Sequence, residues 1–144
     1  MFTSIRSEKF RDVGLLIVRL GFGLGFAWFH GLPKLRGGAE RWTGSGEAMR
    51  NFGVDFGHEW WGAAAMAAEF FGGICIALGL FFRPAALLLA FTMMVAATNH
   101  IVTGQGTPAH AFKNAFLFGG LIFVGPGRYS LDHLVAVWRS KAGR

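Results

Sequence analysis

Cysteine is nearly absent from this chain: Cys75 is the only one among 144 residues. A single thiol cannot make an intrachain disulfide, a CxxC redox pair or a cysteine zinc site, which removes those classes of function; set within an apolar run, Cys75 reads as a small hydrophobe. Acidic residues are also scarce, eight Asp and Glu against 14 Lys and Arg, so the formal charge is +6. The basic residues lie in separated flanks rather than in a stripe interleaved with stacking aromatics, a distribution that argues against nucleic acid as a partner. What the chain has instead is apolar surface. Hydrophobic residues make up 53%, with 22 glycines and a mean hydropathy of +0.42, a composition expected of a protein embedded in a bilayer. Basic residues ahead of the first apolar run imitate a signal peptide. Arg19 interrupts that run, however, and no small-residue cleavage site follows, so it reads as a retained span.

Four segments meet the requirement of about 17 to 25 mostly apolar residues for a membrane helix: 13–32, 60–81, 84–102 and 109–125. The expected fold is an all-α integral membrane protein, an antiparallel four-helix transmembrane bundle forming one domain over residues 1–144. Only Phe82 and Arg83 separate the second and third spans, and Pro84 suits the first turn of a helix, so these two spans form a tight hairpin. Residues 33–59 hold six glycines and read as a loop on one side, side B, with a short helix near Glu47 to Phe52. Trp60 and Trp61 open the second span at the depth of an aromatic belt. In the tail, residues 126–144, the run "SLDHLVAVW" puts Leu131, Leu134, Val135 and Trp138 on one helical face, an amphipathic segment for the membrane interface. Both termini then share side A, which carries Arg6, Lys9, Arg11, Arg83, Arg128, Arg139, Lys141 and Arg144. Side B carries Lys34, Arg36, Arg41, Arg50 and Lys113, and the excess on side A places both termini in the cytoplasm.

Polar residues inside the spans need partners, a wet cavity or the interface. Arg19, Gly23, Phe26 and His30 share one helical stripe, with Lys34 a turn later. Threading the spans antiparallel brings Arg19 toward Glu69 as a candidate buried charge pair. Toward side B gather His30, Lys34, Asn99, His100, His110, Lys113 and Asn114, a polar mouth whose donors suit a quinone head group. Gly21 and Gly25 form a GxxxG pair, and Gly72 and Gly73 give a second close-approach surface for helix packing. His30, His100 and His110 form no same-face HxxxH pair and have no carboxylate at helical spacing, so no metal site is expected. "GFGLG" lies inside a span without the strand-to-helix boundary of a nucleotide loop.

The stretch "RLGFGLGFAWFHGLPKL" at residues 19–35, the run "AEFFGGICIALGLFFRPAALLLAFTMMVAA" with Glu69, Gly72, Gly73, Gly79 and the Arg83-Pro84-Ala85-Ala86 turn, and the closing "GPGRYSLD" at 125–132 together resemble the DoxX family of small bacterial four-span membrane proteins. The resemblance covers most of the chain in the right order. It implies a bacterial inner-membrane location and a link to redox metabolism. Relatives include the small membrane subunit of a thiosulfate:quinone oxidoreductase and a membrane component that groups with a superoxide dismutase and a sulfurtransferase. On this basis the chain is expected to act as an accessory, anchoring or scaffold subunit of a membrane complex. The alternatives are a quinone-interacting subunit of a membrane oxidoreductase and a small-molecule transporter. No cofactor is intrinsic to the chain, quinone is the candidate small molecule, and the expected partners are the lipid bilayer, further copies or a larger membrane complex, and a soluble redox protein.

Overall fold

The computed structural model describes residues 2–143, with side chains from Ser7 onward; Arg144 and the side chain of Arg6, counted above with side A, lie outside the described residues. The described chain is helical almost throughout. Helix α1 (Phe2–Gly25) continues through a π-helical turn (Phe26–Gly31) into α2 (Leu32–Gly46), and a 3₁₀ turn follows (Glu47–Phe52). Helix α3 (His58–Ala67) runs through a second π-helical turn (Ala68–Gly72) into α4 (Gly73–Leu78). Helices α5 (Phe82–Thr103), α6 (Pro108–Val124) and α7 (Leu131–Ala142) complete the chain. Three helical stretches are long and apolar enough to cross a membrane: Ser7–Phe52, His58–Leu78 and Phe82–Thr103. Helix α6, at 17 residues, is shorter and packs along α5.

Large apolar side chains point outward along these helices, among them Ile17, Phe29, Leu87, Phe91 and Phe123. A soluble domain would not leave so much apolar area in water, whereas lipid tails solvate it without cost. Inside, Phe26, Ile76, Phe82, Leu89, Met93 and Phe118 form the core, with Phe26 and Phe118 in edge contact at 4.9 Å between ring centres.

Two sequence expectations are corrected here. Residues 33–59 are not a loop: the first helix runs on past Lys34 to a kink at Gly38, whose φ of 61° and ψ of −157° only glycine adopts freely. The chain then turns back as a helix over 39–46 and packs against the start of α3. Glycine content suggested a loop, but Gly38, Gly53 and Gly57 mark turns with positive φ and Gly46 serves close helix contact: a Cβ on Gly46 would overlap the His58 carbonyl, and one on Gly62 of α3 would overlap the Trp42 carbonyl. The short helix near Glu47 to Phe52 is present, as a 3₁₀ turn.

The packing glycines differ as well. Gly21 and Gly25 face open space in the single chain, while Gly23 and Gly31 make the close contacts of the first helix. A Cβ on Gly23 would come within 2.6 Å of Gly73 O and Ala77 N, and one on Gly73 within 2.7 Å of Gly23 O. Gly72 makes only ordinary contact with Leu89. The helix stripe explains the difference, since Gly23 shares the inward face of Arg19 and Phe26 and Gly21 does not. Gly62→Ala is therefore expected to lose about 1–3 kcal/mol by overpacking against backbone that cannot yield. Gly21→Ala should be neutral or slightly stabilising. Thermal unfolding of both variants in detergent separates them; equal melting temperatures would contradict the assigned helix contact.

Candidate ligand-binding site

Arg19 and Glu69, expected as a pair, belong to two different centres. Arg19 is 1% exposed, and four of its five N–H donors reach backbone carbonyls. Nε donates to Ile76 O at 3.2 Å and Nη2 to Ala77 O at 3.0 Å, while Nη1 donates to Pro126 O at 2.6 Å and Tyr129 O at 3.0 Å. The physical reason lies in Gly79. Its φ of 65° ends α4; the turn's own N–H groups reach Cys75 O and Ile76 O, and the guanidinium supplies a donor to Ala77 O and a second one to Ile76 O. A positive group at a helix C-terminus also suits the helix dipole.

The opposite charge sits across the same turn. Asp132 accepts from Phe81 N and Phe82 N, each at 3.0 Å, and so caps the N-terminus of α5; its own N–H donates to Gly79 O at 2.9 Å. Ser130, 2% exposed, accepts from His133 N and donates to Gly127 O at 2.7 Å, fixing the start of α7. Every donor and acceptor in this clasp holds one chain segment to another, so it reads as architecture. Carbonyls at a helix end leave no mark in the spacing of side chains, which is why Arg19 finds backbone where the sequence pattern suggested Glu69.

Glu69 pairs with Lys34 instead. The Lys34 Nζ donates to Glu69 Oε1 at 2.7 Å and lies 2.7 Å from Oε2. Glu69 is only 2% exposed, and Oε2 has no partner with hydrogen-bond geometry. The Lys34 end is held in place by Trp42 Nε1, on the segment that folds back after Gly38, which donates to Lys34 O at 2.8 Å. Glu69 stands on the second π-helical turn and His30 on the first. The two turns pack together so closely that a Cβ on Gly31 would overlap the Phe70 backbone. Single π-helical turns inside α-helices are uncommon and are frequent at functional sites.

Lys34 and Glu69 close the polar end of a cavity of about 200 Å³. Its walls come from the segment that turns back (Ser45, Gly46, Ala48, Met49), from the second span (Trp61, Ala64, Ala65, Ala68) and from α5 (Leu88, Phe91, Thr92, Val95, Ala96). The 3₁₀ turn is held over it by Asn51 Nδ2 donating to Asn99 Oδ1 at 3.0 Å. Leu88 and Phe91 are themselves exposed, so the cavity opens sideways along α5. An apolar chamber with a few convergent polar groups at one end is the usual form of a small-molecule site.

The remaining members of the expected polar mouth divide. His30 stacks on Phe26 at 4.8 Å and on His110 at 5.5 Å between ring centres, and Asn114 Nδ2 lies 3.2 Å from His110 Nε2 and donates to His110 O. These three line up beside the Lys34–Glu69 pair, since His30 is one turn before Lys34. Asn99 serves the 3₁₀ turn, His100 Nδ1 lies 2.6 Å from Gln105 O in its own connection, and Lys113 is exposed. The single mouth read from sequence is thus a smaller cluster with Asn99, His100 and Lys113 outside it. Among the described residues no three His, Cys, Asp or Glu side chains converge in a way that could hold a metal ion.

The family model for DoxX matches residues 14–105, more than half of the chain. The chain belongs to the DoxX family. No curated protein and no solved structure gives a match. The DoxX match spans every wall of the cavity and both members of the Lys34–Glu69 pair, along with Arg19. His110 and residues 126–132, which complete the clasp, fall outside the matched segment. As a DoxX-family chain with apolar helices of spanning length, this is a membrane-embedded protein.

Proposed function

We propose that this DoxX-family protein is an accessory subunit of a redox-linked complex in the inner membrane, and that its lateral cavity receives a quinone head group. In this reading α6 is the fourth span: 17 residues rise about 25 Å, enough for a short crossing of the hydrocarbon. The bundle is antiparallel and both termini face the cytoplasm, with α7 lying on the membrane surface. Its exposed Leu134, Val135 and Trp138, followed by Arg139 and Lys141, suit that position.

The observation that carries the reading is the buried Lys34–Glu69 pair at the end of an apolar chamber open to the side. A membrane-dissolved quinone would arrive from that side and supply a carbonyl-bearing ring that takes up electrons and protons. The chain contributes the surroundings. Lys34 donates to a carbonyl oxygen without leaving Glu69, because an ammonium has three donors. Glu69 holds or releases a proton at Oε2, the oxygen without a hydrogen-bond partner. Trp61, Phe91 and Val95 exclude water from the ring. Electrons come from the partner in the complex, since one cysteine cannot build an iron–sulfur site here.

Trp61 reports directly on occupancy because it lines the cavity. Titrating a short-chain quinone into the protein in lipid nanodiscs is expected to quench tryptophan emission with a saturable component. That component should vanish in Trp61→Phe and shift to roughly tenfold weaker affinity in Lys34→Gln, the loss of one charge-assisted donor. Quenching that rises linearly and equally in all three proteins would mean simple partitioning into lipid and would remove the proposal.

A further inference from the structure

On its cavity side Glu69 is surrounded almost wholly by side chains that cannot relay a proton. Only two hydroxyls line the chamber, and both donate to backbone carbonyls: Ser45 to Arg41 O and Thr92 to Leu88 O, each at 2.9 Å. The other wall residues are Ala, Gly, Leu, Met, Phe, Trp and Val, apart from the Lys34 already bound to Glu69. On the other side stands an ordered pair of imidazoles. His110, in the first turn of α6, is exposed; His30, half-buried, is held between Phe26 and His110 and lies one turn before Lys34 on the same face. Asn114 Nδ2 lies 3.2 Å from His110 Nε2 and donates to His110 O, which holds that edge of the ring.

We infer that His110 and His30 form a two-step proton route from the exposed end of α6 to the buried carboxylate of Glu69. His110 takes a proton from water, passes it to His30, and His30 passes it to Glu69, which becomes a neutral acid while both imidazoles return to their neutral form. Release runs the same path backward. Stacked rings do not hydrogen-bond face to face, so the step between them uses a ring rotation or a bridging water at the exposed His110 edge. The charged and titratable groups around His30 are His110 from α6, Lys34 from α2 and Glu69 from the second span. Lys34 keeps its proton throughout and holds the carboxylate in position. As a proton supply for a ligand in the cavity, the route rests on the quinone reading above; as a path to Glu69 it rests on the His30–His110 stack and on the close packing of the two π-helical turns that carry His30 and Glu69.

The test follows the Glu69 carboxyl itself. In nanodiscs containing protein with ¹³C-labelled glutamate, the Glu69 band is the infrared carboxyl signal missing from Glu69→Gln. After a rapid pH drop, His30→Phe and His110→Phe are each expected to slow its appearance by about 100-fold, with the final band unchanged. Phenylalanine keeps the ring stack, His30→Asn provides a second variant should packing suffer, and added imidazole should restore part of the rate. A purely structural role would shift the band or the melting temperature and would not respond to imidazole. Unchanged rates in both variants, or a Glu69 band that does not alter between about pH 4 and 9, overturns the route. Quinone binding read from Trp61 is scored separately, so loss of one proposal leaves the other decided on its own result.

Discussion

Replacing Arg19 with leucine is expected to destabilise the protein by about 3–5 kcal/mol, the usual cost of removing one partner from a buried charged network. Four carbonyls, those of Ile76, Ala77, Pro126 and Tyr129, each lose a donor at once, with Ile76 O keeping the Gly79 N–H. A hydrogen bond to a charged group contributes about 1.5–3 kcal/mol, but the four do not add, because the segment at 126–130 can swing out and bond with water. The loss should therefore appear as early protease cleavage near residues 125–130 as well as a lower melting temperature. Arg19→Lys should recover little, since an ammonium cannot reproduce the planar fork that reaches two helix-end carbonyls and two loop carbonyls. Native-like melting and protease resistance in Arg19→Leu would show that the clasp is not what joins the closing loop to the helix hairpin.

Lys34→Met carries the second large effect, again about 3–5 kcal/mol, because it leaves the Glu69 carboxylate buried without its counter-charge. Adding Glu69→Gln should return most of that stability, since an amide in the same place has no charge to strand. The double-mutant cycle for Lys34 and Glu69 is expected to show a coupling of about 1–3 kcal/mol, measured by unfolding in detergent. The corresponding cycle for Arg19 and Glu69 should be additive within about 0.5 kcal/mol, because the two residues share no hydrogen-bond partner. Coupling in the second cycle and none in the first would reverse the assignment of partners.

Those two charges also mark where the sequence was legible. Helix positions were readable because lipid imposes a length: the segments expected at 60–81 and 84–102 correspond to helices over 58–78 and 82–103. The inward stripe through Arg19, Gly23, Phe26 and His30 was readable from a 3.6-residue period, and all four face protein in whole or part. Partners were harder. Arg19 bonds to carbonyls exposed by the left-handed Gly79, and backbone acceptors have no letter in a sequence. Lys34 reaches Glu69 because the first helix continues beyond the expected end of its span and two π-helical turns alter its register. The glycines of 37–57 suggested a flexible connection; instead Gly38 kinks the helix and Gly46, with Gly62 on α3, lets the helix over 39–46 press against α3. The quoted "GPGRYSLD" held the missing signal, since its Asp132 and Ser130 are the caps that position the closing loop.

The π-helical turns at Phe26–Gly31 and Ala68–Gly72 give each of these two membrane helices a place where its length can change. Each such turn holds one residue more than an α-helical turn would and absorbs it by widening, so the helix beyond keeps its angular position. Deleting a single residue from the first turn would let the helix heal into regular α form with Lys34 still directed at Glu69, while the side chains of the turn itself, His30 among them, would be re-aimed. The same deletion in the regular helix between Arg19 and Gly25 would rotate Lys34 by about 100° relative to Arg19. In soluble folds small deletions are absorbed in loops; here two turns inside membrane helices take that role. A single-codon deletion scan would find them as tolerant positions between intolerant ones.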